Sequence, residues 1–164
     1  MDPALRIEPA TERDVEVVLR MIKALAAYEK LSDEVVATEH SLRDALFGHR
    51  PAAEVVVAYV ENKPAGFAVF FQTFSTFLGS PCLYVEDLFV DPGWRGRGFG
   101  KQLFAHVAGL AVSRGCKRLE WTVLDWNEAA IRFYRKLGAE PEDEWTGYRL
   151  SGEALARLAR ERHG

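Results

Sequence analysis

The sequence predicts an α/β fold in which one mixed sheet carries helices on both faces. Strand and helix patterns follow one another in the order β-α-α-β-β-β-α-β-α-β-α over 164 residues, a length that suits one domain. Three of the strands run consecutively in mid-chain, which indicates an antiparallel meander and not the alternation of a doubly wound parallel sheet. We therefore expect a single domain over residues 1–164.

The first half of the chain contains a strand, two helices and the meander. Leu5–Glu8 predicts the first strand, and apolar residues recur at helical spacing from Glu12 to about Lys30. A second helix is predicted after Thr38, with Gly48 as its stop. Apolar and β-branched residues, interrupted by two turn-forming stretches, predict the strands 54–60, 65–73 and 82–90.

The second half alternates helices and strands. A helix is predicted from Gly98 to Ser113, because its apolar residues share one face and Gly115 follows it. A strand at 118–124 and a helix at 127–137 come next. The pattern of Trp145–Leu150 predicts a last strand, and a basic helix follows from Ser151.

Charge and composition exclude several classes of protein. A net charge of −3 offers no broad basic surface, so we expect no nucleic-acid partner. No apolar run approaches the ~20 residues of a membrane span, and the N-terminus lacks an apolar signal core. Cys82 and Cys116 are far apart in the sequence, which is typical of free thiols in a reducing compartment. We expect a cytoplasmic protein without a membrane partner.

A glycine-rich stretch, DPGWRGRGFGKQLF (91–104), lies between a predicted strand and a predicted helix. Its spacing matches neither the P-loop nor the dinucleotide-binding fingerprint. Glycines nevertheless let a backbone approach phosphates closely, and the N–H groups and dipole of the next helix favour an anion. An anion-binding loop is one interpretation, and a glycine-rich turn with solvated arginines is the other.

The motif RGRGFG (95–100) is similar to the pyrophosphate-binding loop of the GCN5-related N-acetyltransferase (GNAT) superfamily. Three further stretches, LAAYEKL (25–31), YVEDLFV (84–90) and DWNEAAIRFYRKLGA (125–139), resemble diamine acetyltransferases of the spermidine/spermine type and their thialysine-acetylating relatives. The resemblance implies a GNAT fold, whose twisted mixed sheet of six to seven strands splays open between 82–90 and 118–124. It also implies acetyl-CoA as cosubstrate and a homodimer. The four histidines show no metal-ligand spacing, and we expect no metal.

The resemblance also implies which residues bind acetyl-CoA. They are Leu88, Phe89, Val90, Arg95, Gly96, Arg97, Gly98, Phe99, Gly100, Lys101, Asn127 and Tyr134. Backbone N–H groups near Leu88–Val90 would hold the thioester carbonyl, with Phe89 acting through its backbone. Asn127 and Tyr134 are seven residues apart and share one helix face, so Asn127 would bind the coenzyme arm while Tyr134 reaches the sulfur.

Two residues are predicted to be catalytic, because amine acetylation needs a base for the ammonium and an acid for the thiolate. Glu86 interrupts an apolar strand, where a carboxylate is unexpected. The resemblance implies that Glu86 is the base, acting through water; the alternative is a strand-edge charge or a group that only orients the substrate. Strand alternation places Asp87 on the opposite face. For Tyr134 the resemblance implies the acid, and the alternative is a core position.

The substrate is expected to be a small molecule with a primary amine. Tyr28 and Glu29, with Asp33 and Glu34 nearby, form an aromatic and acidic cluster suited to a cation, although a solvated helix end is the alternative. Tyr28, Glu29, Glu86 and Asp87 are the predicted substrate-binding residues. The hairpin FSTFLGSP (74–81) lacks the acidic residue of polyamine-specific relatives, which favours a lysine-like amino acid or short diamine over a long polyamine.

Transfer is expected to be direct, in a ternary complex, since no cysteine lies in these motifs to carry an acetyl group. Two alternatives stay open: a non-catalytic coenzyme A-binding regulatory module, and a GNAT enzyme that acts on a protein or peptide amine.

Overall fold

The elements of the computed structural model, which describes residues 3–162, follow the predicted order up to the last strand. They are β1 (Leu5–Pro9), α1 (Val15–Tyr28), α2 (Glu39–Phe47), β2 (Glu54–Val60), β3 (Lys63–Ser75), β4 (Ser80–Val90), α3 (Phe99–Ser113), β5 (Leu119–Trp121), α4 (Glu128–Lys136) and α5 (Gly152–Arg160). The chain divides into two compact units, Met1–Leu124 and Asp125–Gly164. The first unit holds the sheet with α1, α2 and α3, and the second holds α4 and α5.

The sheet is mixed, as predicted. Its strand order is β1-β2-β3-β4-β5, with antiparallel pairing from β1 to β4 and a parallel pairing between β4 and β5. The β2–β3 turn is tight, because Glu61 and Asn62 both adopt positive φ (49° and 66°). Such a turn brings the two strands directly back onto each other and starts the predicted meander.

Helices cover both faces of this sheet. Val18 and Met21 of α1 pack with Val57, Phe67 and Phe89, all of them buried. On the other face, a Cβ atom on Gly66 would lie 3.3 Å from Leu103 of α3, so α3 packs closely over β3. Successive strand residues point to opposite faces of a sheet, so Phe67 faces α1 and its neighbour Gly66 faces α3.

The start and end of α2 follow from local hydrogen bonds. The Thr38 hydroxyl accepts a hydrogen bond from Ser41 N at 3.0 Å, and the Ser41 hydroxyl accepts one from Thr38 N at 2.9 Å. These two bonds form a capping box, and Gly48 is the C-cap residue. The prediction of a helix after Thr38 with Gly48 as its stop is confirmed.

The predicted six to seven strands are not confirmed, because the described residues contain five. Trp145–Leu150 is not a strand, and the strand predicted at 118–124 is limited to Leu119–Trp121. A strand needs a neighbour for its backbone N–H and C=O groups. The described residues of the second unit contain no strand that could pair with Trp145–Leu150. Trp145 and Tyr148 are 76% and 96% exposed.

The structure can also be compared with two predictions made from composition, on the cysteines and on membrane-spanning segments. Cys82 and Cys116 are both free thiols, as predicted. Among the residues that the structure describes, no helix combines the length and apolar character needed to cross a membrane.

Candidate active site

A pocket of about 330 Å³ lies between the end of α1 and the middle of β4. Its lining combines apolar and acidic side chains. Its lining residues are Ile22, Leu25, Ala26, Glu29, Leu31, Glu34, Val35, Glu86 and Asp87. The structure therefore brings together three of the four predicted substrate-binding residues, while Tyr28 lies beside the pocket and not in its lining.

Glu86 and Asp87 both line this pocket because β4 contains a β-bulge. Val69 of β3 is opposite Asp87 and the next residue, Phe70, is opposite Val85, so Glu86 is the extra residue. The prediction that alternation places Asp87 on the opposite face is wrong, since a bulge interrupts the two-residue period. Glu86 is exposed, whereas Asp87 is half-buried.

Burial of its carboxyl group, together with the negative charges of Glu86 and Glu29, raises the pKa of Asp87 from 3.8 to about 6. Burial also raises the pKa of Glu29 above its usual value. The pocket thus holds like charges in partly desolvated surroundings. A bound cation would relieve both the repulsion and the lost hydration.

Asp87→Asn is expected to stabilise the fold at alkaline pH. Between pH 3.8 and about 6 the folded protein holds a proton that the unfolded chain has released, so the free energy of unfolding falls as pH rises through this window. Above about pH 6 the Asp87 carboxyl is ionised in the folded protein, and the full free-energy cost of its buried charge is present. The variant should then be more stable than wild type by about 1–3 kcal/mol at pH 8 and by much less at pH 4.

Urea unfolding at the two pH values measures this difference. Asp33→Asn is the control, because Asp33 lies next to the pocket residue Glu34 in the turn that follows α1 but is itself outside the pocket lining. Its effect should stay below about 0.5 kcal/mol at both pH values. A gain for Asp87→Asn that is equal at pH 4 and pH 8 would contradict the assigned burial cost.

Glu29 reaches the pocket because of the way α1 ends. Leu31 N donates to Ala26 O at 2.8 Å and Lys30 N donates to Ala27 O at 3.2 Å, which is the Schellman arrangement. Lys30 takes the left-handed position with φ of 61°, where glycine is usual. The backbone of the predicted cluster is therefore an ordered helix end, in which Tyr28, Asp33 and Glu34 are exposed while Glu29 and Glu34 line the pocket.

Sequence reasoning did not identify the apolar part of the lining formed by Ile22, Leu25 and Ala26. Their helical spacing predicts α1 but does not by itself indicate a pocket. The available signal was their spacing from Glu29, since residues three, four and seven positions apart share a helix face.

Beyond the bulge, β4 separates from β5. The parallel ladder consists of the pairs Leu83–Leu119, Tyr84–Glu120 and Val85–Trp121, and within the described chain β4 continues to Val90 with partners on β3 alone. The pairing between these strands thus ends before Leu88–Val90, and the splayed cleft itself stays a prediction. The Phe89 ring is buried in the core and its backbone is paired with Phe67 of β3, so its role at the coenzyme stays a prediction.

Two glycines of the glycine-rich loop have left-handed backbone conformations. Gly96 and Gly98 have φ of 77° and 78°, and a Cβ atom on either would meet nothing within 4 Å. Gly98 is the N-cap of α3, whose first helical bond runs from Gln102 N to Gly98 O at 3.1 Å. The preceding N–H groups, of Phe99, Gly100 and Lys101, have no partner within the helix. This open space with backbone donors fits a pyrophosphate.

The two arginines of the loop are held by aromatic rings. The Arg95 guanidinium lies over the rings of Tyr28 and Phe89, at 4.7 Å and 5.3 Å from their centres. The Arg97 guanidinium lies 5.1 Å from the ring centre of Trp94. Arg95 therefore joins two predicted groups of residues, the cofactor loop and the substrate cluster, that sequence reasoning treated separately.

In the second unit, Asn127 and Tyr134 belong to α4 and its cap. Asn127 is the N-cap residue, and its side-chain oxygen accepts a hydrogen bond from Ala130 N at 3.2 Å. Tyr134 lies in the last two turns of α4, with its ring centre 5.7 Å from that of Phe133. The helix confirms that residues 127 and 134 are on one face; their ligand roles stay predictions.

The comparison with family models decides the class of this protein. The model of the acetyltransferase (GNAT) family matches residues 21–139, which include the pocket, the glycine-rich loop and α4. The chain belongs to the GNAT family. The family prediction is confirmed, and the protein is a GNAT acetyltransferase.

Two curated relatives and one solved structure are similar to this GNAT chain along most of its length. The thialysine N-epsilon-acetyltransferase of Bos taurus is 38% identical over 93% of this chain and 96% of the relative. The L-ornithine N5-acetyltransferase of Arabidopsis thaliana is 33% identical over 93% of this chain and 87% of the relative. An integron cassette protein of V. cholerae superposes with a TM-score of 0.81 at 30% identity, over 98% of this chain and 100% of the other.

Proposed function

We propose that this GNAT protein transfers the acetyl group of acetyl-CoA to the primary amine of a small molecule, directly and in a ternary complex. The observation that carries the proposal is the acidic pocket beside β4. Four acidic residues line it, and the lining residues of the described chain include no Lys, Arg or His. A pocket with this charge favours a cation, and a primary amine is a cation at neutral pH.

The shape of the pocket supports a small alkyl ammonium. Its volume of about 330 Å³ is at the lower end of the range for small-molecule sites. Ile22 and Leu25 of the lining can contact methylene groups while Glu29 and Asp87 face the charged end. This arrangement supports a free amine over the amine of a large protein substrate.

In the proposed mechanism the chain must first deprotonate its substrate. An alkyl ammonium with a pKa of about 10.4 is only ~0.04% neutral at pH 7, which adds about 4–5 kcal/mol to the barrier. The carboxylates that bind the ammonium also favour its charged form. We therefore assign Glu86, the exposed bulge residue, as the base that accepts this proton through water.

Acetyl-CoA supplies the activated thioester when it is bound. Backbone N–H groups in the Leu88–Val90 segment would stabilise the negative charge that develops on the acetyl oxygen. The neutral amine would attack the acetyl carbon, Tyr134 would donate its phenolic proton to the departing sulfur, and the proton that the nitrogen loses on becoming an amide would return to Tyr134. We assign the loop from Arg95 to Lys101, with Asn127, to coenzyme binding.

Glu86→Gln is expected to lower kcat/KM strongly at neutral pH and weakly at high pH. The loss should be on the order of 10²-fold at pH 7 and below about tenfold at pH 10, where much of the amine is neutral without help. Glu34→Gln is the control, since Glu34 lines the pocket but has no assigned proton-transfer role, and its loss should not vary with pH. If the loss in Glu86→Gln were equal at all pH values, Glu86 would only position the substrate.

The substrate class follows from the hairpin at the β3–β4 turn and from the relatives. Phe74 and Phe77 are exposed there, and FSTFLGSP contains no acidic residue to hold a distant second ammonium. The relatives named above act on thialysine and L-ornithine according to their names. Both compounds are amino acids with a terminal primary amine.

The proposal is tested by kcat/KM for thialysine, a short diamine and spermine in one buffer. We expect thialysine, lysine-like amino acids or short diamines to exceed spermine. If spermine were better by tenfold or more, which is about 1.4 kcal/mol of discrimination in the transition state, the protein would be a polyamine acetyltransferase.

We also propose that residues 1–164 form one acetyltransferase domain that works as a cytoplasmic homodimer. The family match includes residues of both units, which supports one domain. The free thiols of Cys82 and Cys116 support a reducing compartment. The homodimer rests on the resemblance to diamine acetyltransferases.

A further inference from the structure

Arg95 makes contacts that a simple phosphate ligand does not need. Its Nε donates a hydrogen bond to Val90 O at 2.9 Å, which connects the loop to the end of β4. Its guanidinium lies within cation–π distance of both Tyr28 and Phe89. The side chain is thus directed at the end of α1 and the end of β4.

These contacts lead directly to the amine pocket. Tyr28 is the last residue of α1, and the next residue, Glu29, lines the pocket. Phe89 lies two residues beyond Asp87 on the same strand, and both residues are opposite α1-facing residues of β3. One side chain therefore contacts the neighbours of two acidic residues that would hold the ammonium.

The same side chain belongs to the glycine-rich loop. The loop begins with Asp91, whose carboxylate accepts a hydrogen bond from Gly93 N at 3.0 Å, and reaches α3 through Gly96 and Gly98. Glycine loses more conformational freedom than any other residue when it is ordered, so fixing Gly96 and Gly98 at positive φ has an entropic cost. A ligand that orders the loop would also order the backbone that carries Arg95.

We propose that Arg95 is a positioning residue that couples the coenzyme loop to the amine pocket, so that a ligand in either site raises the affinity of the other. This inference rests on the proposed function. A first ligand that orders Arg95 and Tyr28 reduces the ordering cost for the second ligand. The coupling must be reciprocal, because it is a free energy shared by two binding equilibria.

Calorimetric titration of coenzyme A, with and without a saturating amine, measures the coupling. The amine is the one with the highest kcat/KM in the substrate comparison, and with coenzyme A it forms a pair that cannot react. In wild type we expect the amine to lower the Kd of coenzyme A about tenfold, or about 1.4 kcal/mol. In Arg95→Lys and in Tyr28→Leu this effect should fall below about twofold.

The conservative variants separate positioning from charge. Arg95→Lys keeps the positive charge near the phosphates but loses the planar group that stacks on Tyr28. Tyr28→Phe keeps the ring and should keep the tenfold effect. Arg97→Lys changes the other arginine of the loop, which lies over Trp94, and should also keep the effect even where coenzyme A affinity changes.

The inference is overturned if wild type shows no coupling, if Arg95→Lys and Tyr28→Leu retain it, or if Arg97→Lys loses it equally. In each of these cases coenzyme A and the amine still bind, so the proposed function stands. If neither ligand binds to wild type, the proposed function fails as well. Melting temperatures of the variants show whether a lost effect reflects loss of the fold.

Discussion

Gly98→Asp should raise the Kd of coenzyme A by about 100-fold or more while the protein stays folded. Gly98 has a φ of 78° at the N-cap of α3, and the space where a Cβ would lie is open to a ligand. An aspartate there places a negative charge where the pyrophosphate is expected, beside the first N–H groups of the helix. A 100-fold loss is about 2.7 kcal/mol, a size that repulsion between close, partly desolvated charges can supply.

Gly98→Asn is the matched control for the charge. Asparagine has nearly the same shape as aspartate, and both residues tolerate positive φ at a cost of about 1–2 kcal/mol in stability. Calorimetry with coenzyme A should therefore show a smaller loss for asparagine than for aspartate. Equal affinity in wild type and Gly98→Asp would show that the phosphates bind elsewhere.

Tyr134→Phe should lower kcat by on the order of 10²–10⁴, with coenzyme A affinity nearly unchanged. The change removes one hydroxyl group and leaves the ring that packs near Phe133. Without that proton the departing sulfur must leave as a thiolate. Steady-state kinetics and calorimetry on the same preparation separate the effect on turnover from the effect on binding.

Tyr148→Phe is the control for loss of a phenolic hydroxyl. Tyr148 belongs to the same unit, is 96% exposed and lies outside the helices, so its turnover should equal that of wild type. A wild-type kcat for Tyr134→Phe, under conditions where a single-turnover experiment shows chemistry to be rate-limiting, would remove Tyr134 from the mechanism.

Most of the fold could be predicted because local signals determine its helices and central strands. Thr38 and Gly48 mark the limits of α2, and the apolar spacing from Val15 to Ala26 predicts α1. The strand at Trp145–Leu150 was predicted on equally good local grounds and is wrong. A strand depends on a neighbour that can be distant in sequence, so composition and alternation cannot by themselves establish one.

The candidate site was predictable in its motifs and not in its geometry. Glu29, Glu86 and the glycine-rich loop stood out as charges or glycines in unexpected places. The bulge at Glu86, which brings Asp87 into the pocket, depends on the register between β3 and β4 and has no clear sequence signal. The contact between Arg95 and Tyr28 joins residues that lie far apart in the chain, so no local pattern could show it.

The most direct test of the account is to identify the product formed from thialysine and acetyl-CoA labelled in its acetyl group. We expect mass spectrometry to find one labelled acetyl group on the side-chain amine for each coenzyme A released. We also expect initial rates to give intersecting double-reciprocal lines, as a ternary complex requires. Release of coenzyme A without an acetylated amine, or label that remains on the protein with parallel lines, would contradict direct transfer to a small amine.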